Sequence, residues 1–135
     1  MRLLLDISII LDVALKRRGE ARSASVIASC GGQHEAWLAW HSVATLASLM
    51  EKQHDVATTR EFVTGLLSWA RVATTGHEDA QRAIDLDMAD FEDALQVAAA
   101  LACGARYVIT RNVRDFGGAP LPALTPEEFL LRHSA

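Results

Sequence analysis

The sequence has 135 residues, a formal net charge of −4, and 50% hydrophobic against 22% charged residues. That is the length and balance of one globular domain, and it excludes a disordered or fibrous chain. The acidic balance also excludes a protein that holds nucleic acid by bulk electrostatics, so any such role has to rest on a local site.

Apolar runs such as Leu3-Leu4-Leu5 fall far short of the ~20 residues of a membrane span. Met1-Arg2 leads directly into that run, so neither a span nor a signal peptide is expected. Cys30 and Cys103 lie far apart in apolar helical settings. They read as core thiols of a protein kept in a reducing cytoplasm, without a disulfide framework or a zinc site.

Taken in chain order, residues 2–6 read as a buried strand, because Leu3, Leu4 and Leu5 are continuous rather than alternating. Asp6 closes it. Ile9, Ile10, Val13 and Ala14 then recur at helical spacing, and residues 21–29 form a second helix stopped by Gly31-Gly32. Residues 36–40 read as the second strand. Residues 42–52 and 58–70 are two helices, a hairpin on one side, with Phe62, Val63, Leu66, Leu67 and Trp69 inward. A short strand over residues 71–73 and a helix over 77–86 follow, then an apolar helix over 91–103 ended by Gly104. Residues 106–110 give a strand, 112–118 a polar loop, 121–124 a brief extended piece, and 126–132 a last helix opened by Thr125-Pro126. Strands alternating with helices predict a single α/β domain over residues 1–135, a parallel, Rossmann-like sheet flanked by helices.

In such sheets the ligand crevice lies beyond the carboxyl ends of the strands. Asp6 ends the first strand there, and Asp115 lies in the loop that leaves the strand of residues 106–110. Asp93 sits in the first turn of the helix feeding that strand, with Asp90 three residues earlier on nearly the same face. Three convergent carboxylates repel one another unless their pKa values rise or a hard cation neutralises them. Mg²⁺ fits, and in phosphoryl chemistry it activates water and stabilises charge on phosphate. Each acid also has a structural reading. Asp90 and Asp93 match a helix N-cap and its N3 partner, Glu92 favours the helix dipole, and Asp115 before Phe116-Gly117-Gly118 matches a turn. Asp6, directly after three leucines, must face a cavity or find a partner.

The histidines at 34, 41, 54, 77 and 133 show no zinc-binding spacing. Trp37, Trp40 and Trp69 are expected in the core rather than as base-stacking platforms. Basic candidates for RNA contact are Lys16-Arg17-Arg18 and Arg106, Arg111 and Arg114.

The run Leu3-Leu4-Leu5-Asp6-Ile7-Ser8-Ile9-Ile10-Leu11-Asp12 resembles the opening of PIN-domain proteins. Asp90-Phe91-Glu92-Asp93-Ala94-Leu95-Gln96, followed by Thr110-Arg111-Asn112-Val113-Arg114-Asp115-Phe116, is similar to their C-terminal half. The resemblance implies a PIN fold and a Mg²⁺- or Mn²⁺-dependent endoribonuclease, often the VapC-type toxin of a toxin–antitoxin pair, dimeric and silenced by a cognate antitoxin. Carried over by position, Asp6, Asp93 and Asp115 are the catalytic and metal-site acids and Arg111 and Arg114 lie near the RNA phosphate, with Asp90, Asn112, Thr45 and Ser8 as auxiliary positions. The chain departs from the family at Ile7-Ser8, where Thr-Asn is usual, and at Thr45, the position aligned with a frequent Glu. Those departures motivate the alternative, a non-catalytic PIN module that binds RNA or a protein partner.

Overall fold

Three consecutive leucines set the centre of the sheet. In this computed structural model, which describes residues 1–17 and 19–133, strand β1 (Arg2–Leu5) carries Leu3, Leu4 and Leu5 without solvent exposure. β1 pairs in parallel with β2 (Glu35–Leu38) on one side and β4 (Tyr107–Ile109) on the other, so Leu4 stands beside both Trp37 and Val108. β3 (Ala70–Val72) adds outside β2 and β5 (Ala123–Leu124) outside β4, giving the all-parallel order β3-β2-β1-β4-β5. Burying a leucine on both faces of such a sheet stabilises by roughly 1.5–3 kcal/mol per side chain.

The strand period of two divides the core. Leu3, Leu5, Leu38 and Ile109 face α1 (Ile7–Ala14), α2 (Glu20–Ser29), α3 (Trp40–Glu51), α4 (Val56–Leu67) and α7 (Pro126–His133) through Ile9, Val26, Leu46, Leu66 and Phe129. Leu4 and Val108 face the opposite side, where α6 (Phe91–Cys103) packs Val97, Ala99 and Ala100 against them. α5 (His77–Asp85) lies over α6 through Ala83 and Ala94. This is the parallel α/β sheet, helices on both faces, that the sequence predicts. Cys30 and Cys103 are buried free thiols.

Several boundaries differ from expectation. The second strand ends at Leu38, its last partner being Val72, and the Ala39 carbonyl instead accepts the Ser42 N–H of the new helix. Trp40 is therefore the first residue of α3 and is 69% exposed, not part of the core. Trp37 and Trp69 are half-buried. Leu67, expected inward, is exposed because α4 is in its last turn there and the inward stripe has passed to Leu66. Within the polar stretch of 112–118, Val113–Phe116 forms a 3-10 turn anchored by the buried Phe116. Arg18 of the first basic run lies outside the described residues.

Candidate metal centre and active site

Asp6 follows β1 directly and continues its pairing, donating its N–H to the Ile109 carbonyl at 2.9 Å. Its side chain is 6% exposed and does not cap the helix it precedes, leaving both oxygens to other partners. The Thr110 hydroxyl donates to Oδ2 at 2.7 Å, the Ser8 hydroxyl to the same oxygen at 2.9 Å, and Gln96 Nε2 to Oδ1 at 3.0 Å. A carboxylate offers about four acceptor positions, so three donors fix Asp6 in place and leave it able to bind one more group. Ser8, a departure from the sequences the chain resembles, thus still holds the Asp6 carboxylate. Its oxygen also lies 3.5 Å from the Arg111 N–H, and Thr110 Oγ1 accepts the Asn112 N–H at 3.0 Å. The loop after β4 is stitched to Asp6 by two hydroxyls.

Helix α6 delivers the other acids. Asp90 is its N-cap, accepting the Asp93 N–H at 3.2 Å, so the structural reading of that residue holds. Carboxylate oxygens of Asp90, Glu92 and Asp93 lie within 4.8 Å of one another, and among the described residues this is the group of acids, histidines and cysteines close enough to share a cation. Asp93 is pushed up to about 7, first by burial, then by its hydrogen bond with Glu92 and the negative charges of Glu92, Asp90 and Asp6. Glu92 is held below the usual carboxylate range, chiefly by its hydrogen bond with His41, whose Nε2 lies 3.1 Å away. Gln96 links the two acidic centres, donating to Asp6 and, at 3.4 Å, to Glu92.

Asp115 sits exposed in the 3-10 turn and outside the tight group, its N–H bonded to the Asn112 carbonyl. The neighbouring loop is fixed by Gly118, at φ +88°, where a Cβ would come within 2.5 Å of the Asp87 carbonyl oxygen just before Asp90. Asn112 and Arg114 are exposed. Arg111 reaches from the same loop to the buried Asp12, Nη1 to Oδ1 at 2.7 Å, and the Ser23 hydroxyl donates to the other oxygen at 2.8 Å. Thr45 is exposed and turns its hydroxyl back to the His41 carbonyl of its own helix. Thr110, Gln96 and His41 are site residues that periodicity did not single out. The one available signal was Gln96, a polar residue amid the alanines of an otherwise apolar helix.

The donor set suits a hard divalent cation: hydrogen-bonded Asp6 oxygens, a crowded group with one carboxyl forced up to about 7, and a buried Gln96 Oε1 without a hydrogen-bond partner among the described residues.

The family model described as PIN domain matches residues 2–114. The chain belongs to the PIN domain family. No curated protein matches its sequence. Solved structures give the same fold over most of the PIN domain's length. VapBC2 from Rickettsia felis, bound to a DNA fragment from its promoter, aligns with a TM-score of 0.75 at 15% identity, covering 93% of this chain and 98% of that one. A toxin–antitoxin complex from Klebsiella pneumoniae aligns at 0.70 and 23% identity, covering 92% and 97%. VapC20 of Mycobacterium tuberculosis, a sarcin–ricin loop cleaving toxin, aligns at 0.62 and 13% identity, covering 78% and 86%. This PIN domain is thus VapC-like in fold. Among its described residues no helix is long and apolar enough to cross a membrane.

Proposed function

We propose that this PIN domain is a Mg²⁺- or Mn²⁺-dependent endoribonuclease and the toxin of a toxin–antitoxin pair, acting in the cytoplasm as a homodimer until a cognate antitoxin silences it. The observation that carries the reading is the gathering of Asp90, Glu92 and Asp93 oxygens within 4.8 Å of one another, linked through Gln96 to Asp6 at the carboxyl end of the sheet, a crowding that pushes Asp93 up to about 7. The cleaved sarcin–ricin loop of the VapC20 relative supports RNA as the substrate class, and the VapBC and Klebsiella complexes support an antitoxin partner.

Asp6, Asp93 and Asp115 would hold the cation, with Asp90, Glu92 and Asn112 at its margin. When bound, it supplies an activated water and charge stabilisation for phosphodiester hydrolysis. Asp6 contributes position, since three donors and a strand on either side fix its oxygens. His41 keeps Glu92 ionised, and the Asp93 carboxyl is the place where a proton is held or released near neutral pH. Arg114, exposed beside Asp115, is placed to meet a phosphate; Arg111 acts chiefly by tying the loop to Asp12.

The test is cleavage of a mixed-sequence RNA by the wild-type chain and by Asp93→Asn, with Mn²⁺ or Mg²⁺ and with EDTA. Cleavage lost in the variant and in EDTA is expected. A second reading, a non-catalytic module binding RNA or a protein, is favoured by the neutral Thr45 and by Asp115 lying outside the tight acidic group. Metal-loaded wild type that binds RNA without cutting it would select that reading.

A further inference from the structure

Trp40 is the bulkiest exposed apolar side chain among the described residues, at 69% exposure, and it stands at the carboxyl end of the sheet two residues past β2. The next residue, His41, lies 3.1 Å from Glu92 of the acidic group. Phe91, 53% exposed, immediately precedes Glu92. An open aromatic ring therefore adjoins each partner of that hydrogen bond. Trp40 and His41 also border a cleft of about 240 Å³ whose other walls include Thr75, Gly76, Asp79 and Leu95, and Trp40 borders a second cleft formed with residues 72–75.

The electrostatics of this end do not favour a polyanion. The chain carries a net charge of −4, four carboxylates gather at the site, and Arg111 is engaged by Asp12. Even with a divalent cation offsetting part of that charge, phosphate contacts act against an acidic surface, whereas aromatic stacking is indifferent to the sign of the field and every base has a π-face to offer. A paired base keeps its faces covered; an unpaired one can be splayed onto an aromatic ring and read along its edge by nearby polar groups.

We propose that Trp40 is the stacking platform for one unpaired nucleobase of the substrate, seated in the cleft between α3, the segment before α5, and α6. The inference rests on the nuclease reading above and deepens it: the strand is single or looped where it is cut, with one base held beside the scissile phosphate. His41, Thr75 and Asp79 are polar residues lining that cleft, and the base edge would meet them there.

The test uses a fluorescein-labelled single-stranded RNA of ten nucleotides, the same sequence as a duplex, and the Asp93→Asn chain, with wild-type cleavage run in parallel. Trp40→Ala in that background is expected to weaken single-strand binding about tenfold or more, with Trp40→Phe recovering most of it. The duplex should bind weakly, and RNA should quench indole fluorescence in Asp93→Asn but not in the double variant carrying Trp40→Phe. Equal affinity for the three chains would overturn the platform, and if wild type still cleaves, the nuclease reading stands. Trp40-dependent binding without wild-type cleavage would sink the nuclease reading and keep the platform. A Trp40→Ala chain that passes from dimer to monomer by light scattering would assign the indole to a contact between copies and overturn the proposal. Absence of any RNA binding overturns both.

Discussion

Asp12 and Asp93 are aspartates on helices beside the same sheet, and their surroundings are opposite. Asp12 is 1% exposed, yet the chain supplies its countercharge and hydrogen bonds, from Arg111 at 2.7 Å and Ser23 at 2.8 Å. Asp93 is more open but faces Asp90, Glu92 and Asp6, and the cation-capable neighbour found there, His41, is spent on Glu92. An acid that the chain neutralises internally serves the fold. One placed among other acids and left to rise to about 7 is poised for something that arrives from outside.

The largest expected effect lies on the uncompensated side. Asp6→Asn keeps the shape but removes the charge and replaces one of the two accepting oxygens by an amide donor, and cleavage should fall by roughly 10²–10⁴-fold, the range for a positioned charge-stabilising or acid–base group. A loss below tenfold in a folded variant would remove Asp6 from the reaction. On the compensated side, Arg111→Met leaves Asp12 buried beside a neutral chain. Because the guanidinium is itself 39% exposed, the expected cost is about 2 kcal/mol, below the range for a fully buried pair, read by urea unfolding. Adding Asp12→Asn to that variant should recover part of the loss.

A smaller effect appears in pH dependence. Asp93 has an ordinary value of 3.8 and is raised to about 7 in the folded chain. Between those values the folded chain keeps a proton that the unfolded chain has released, so metal-free stability should fall as pH rises from about 4 to about 7. A divalent cation held by Asp93 would displace that proton, and the gain in melting temperature on adding Mg²⁺ or Mn²⁺ should then be larger at about pH 8 than at about pH 5.5. Equal gains would separate Asp93 from the cation. The smallest effect is reserved for Thr45→Ala, which removes only a hydroxyl bonded to its own helix. Stability should stay within about 0.5 kcal/mol, and cleavage should be unaltered.

What could be read without coordinates follows from where the signal is local. The leucine run, the N-cap at Asp90 and the glycine at 104 predict β1 and both ends of α6, and the structure has them at Arg2–Leu5 and Phe91–Cys103. Asp6 is legible because a carboxylate after buried leucines must be explained. The donors that hold it are not: Thr110 lies 104 residues away and Gln96 lies 90 away, and no periodicity encodes which hydroxyl or amide the sheet order will bring to Asp6. Trp40 fails for a related reason. An indole beside a strand pattern reads as core, and only the register with β3, which ends the strand at Leu38, turns it outward.

The 104-residue separation between Asp6 and Thr110 also has a temporal side. Synthesis delivers β1 before its neighbour β4, and the hydroxyl that clamps Asp6 follows that residue by 104 positions. Contacts so distant in sequence close late in folding. A chain in which β4 has not yet joined β1 therefore carries the Asp6 carboxylate without the hydroxyl that fixes it.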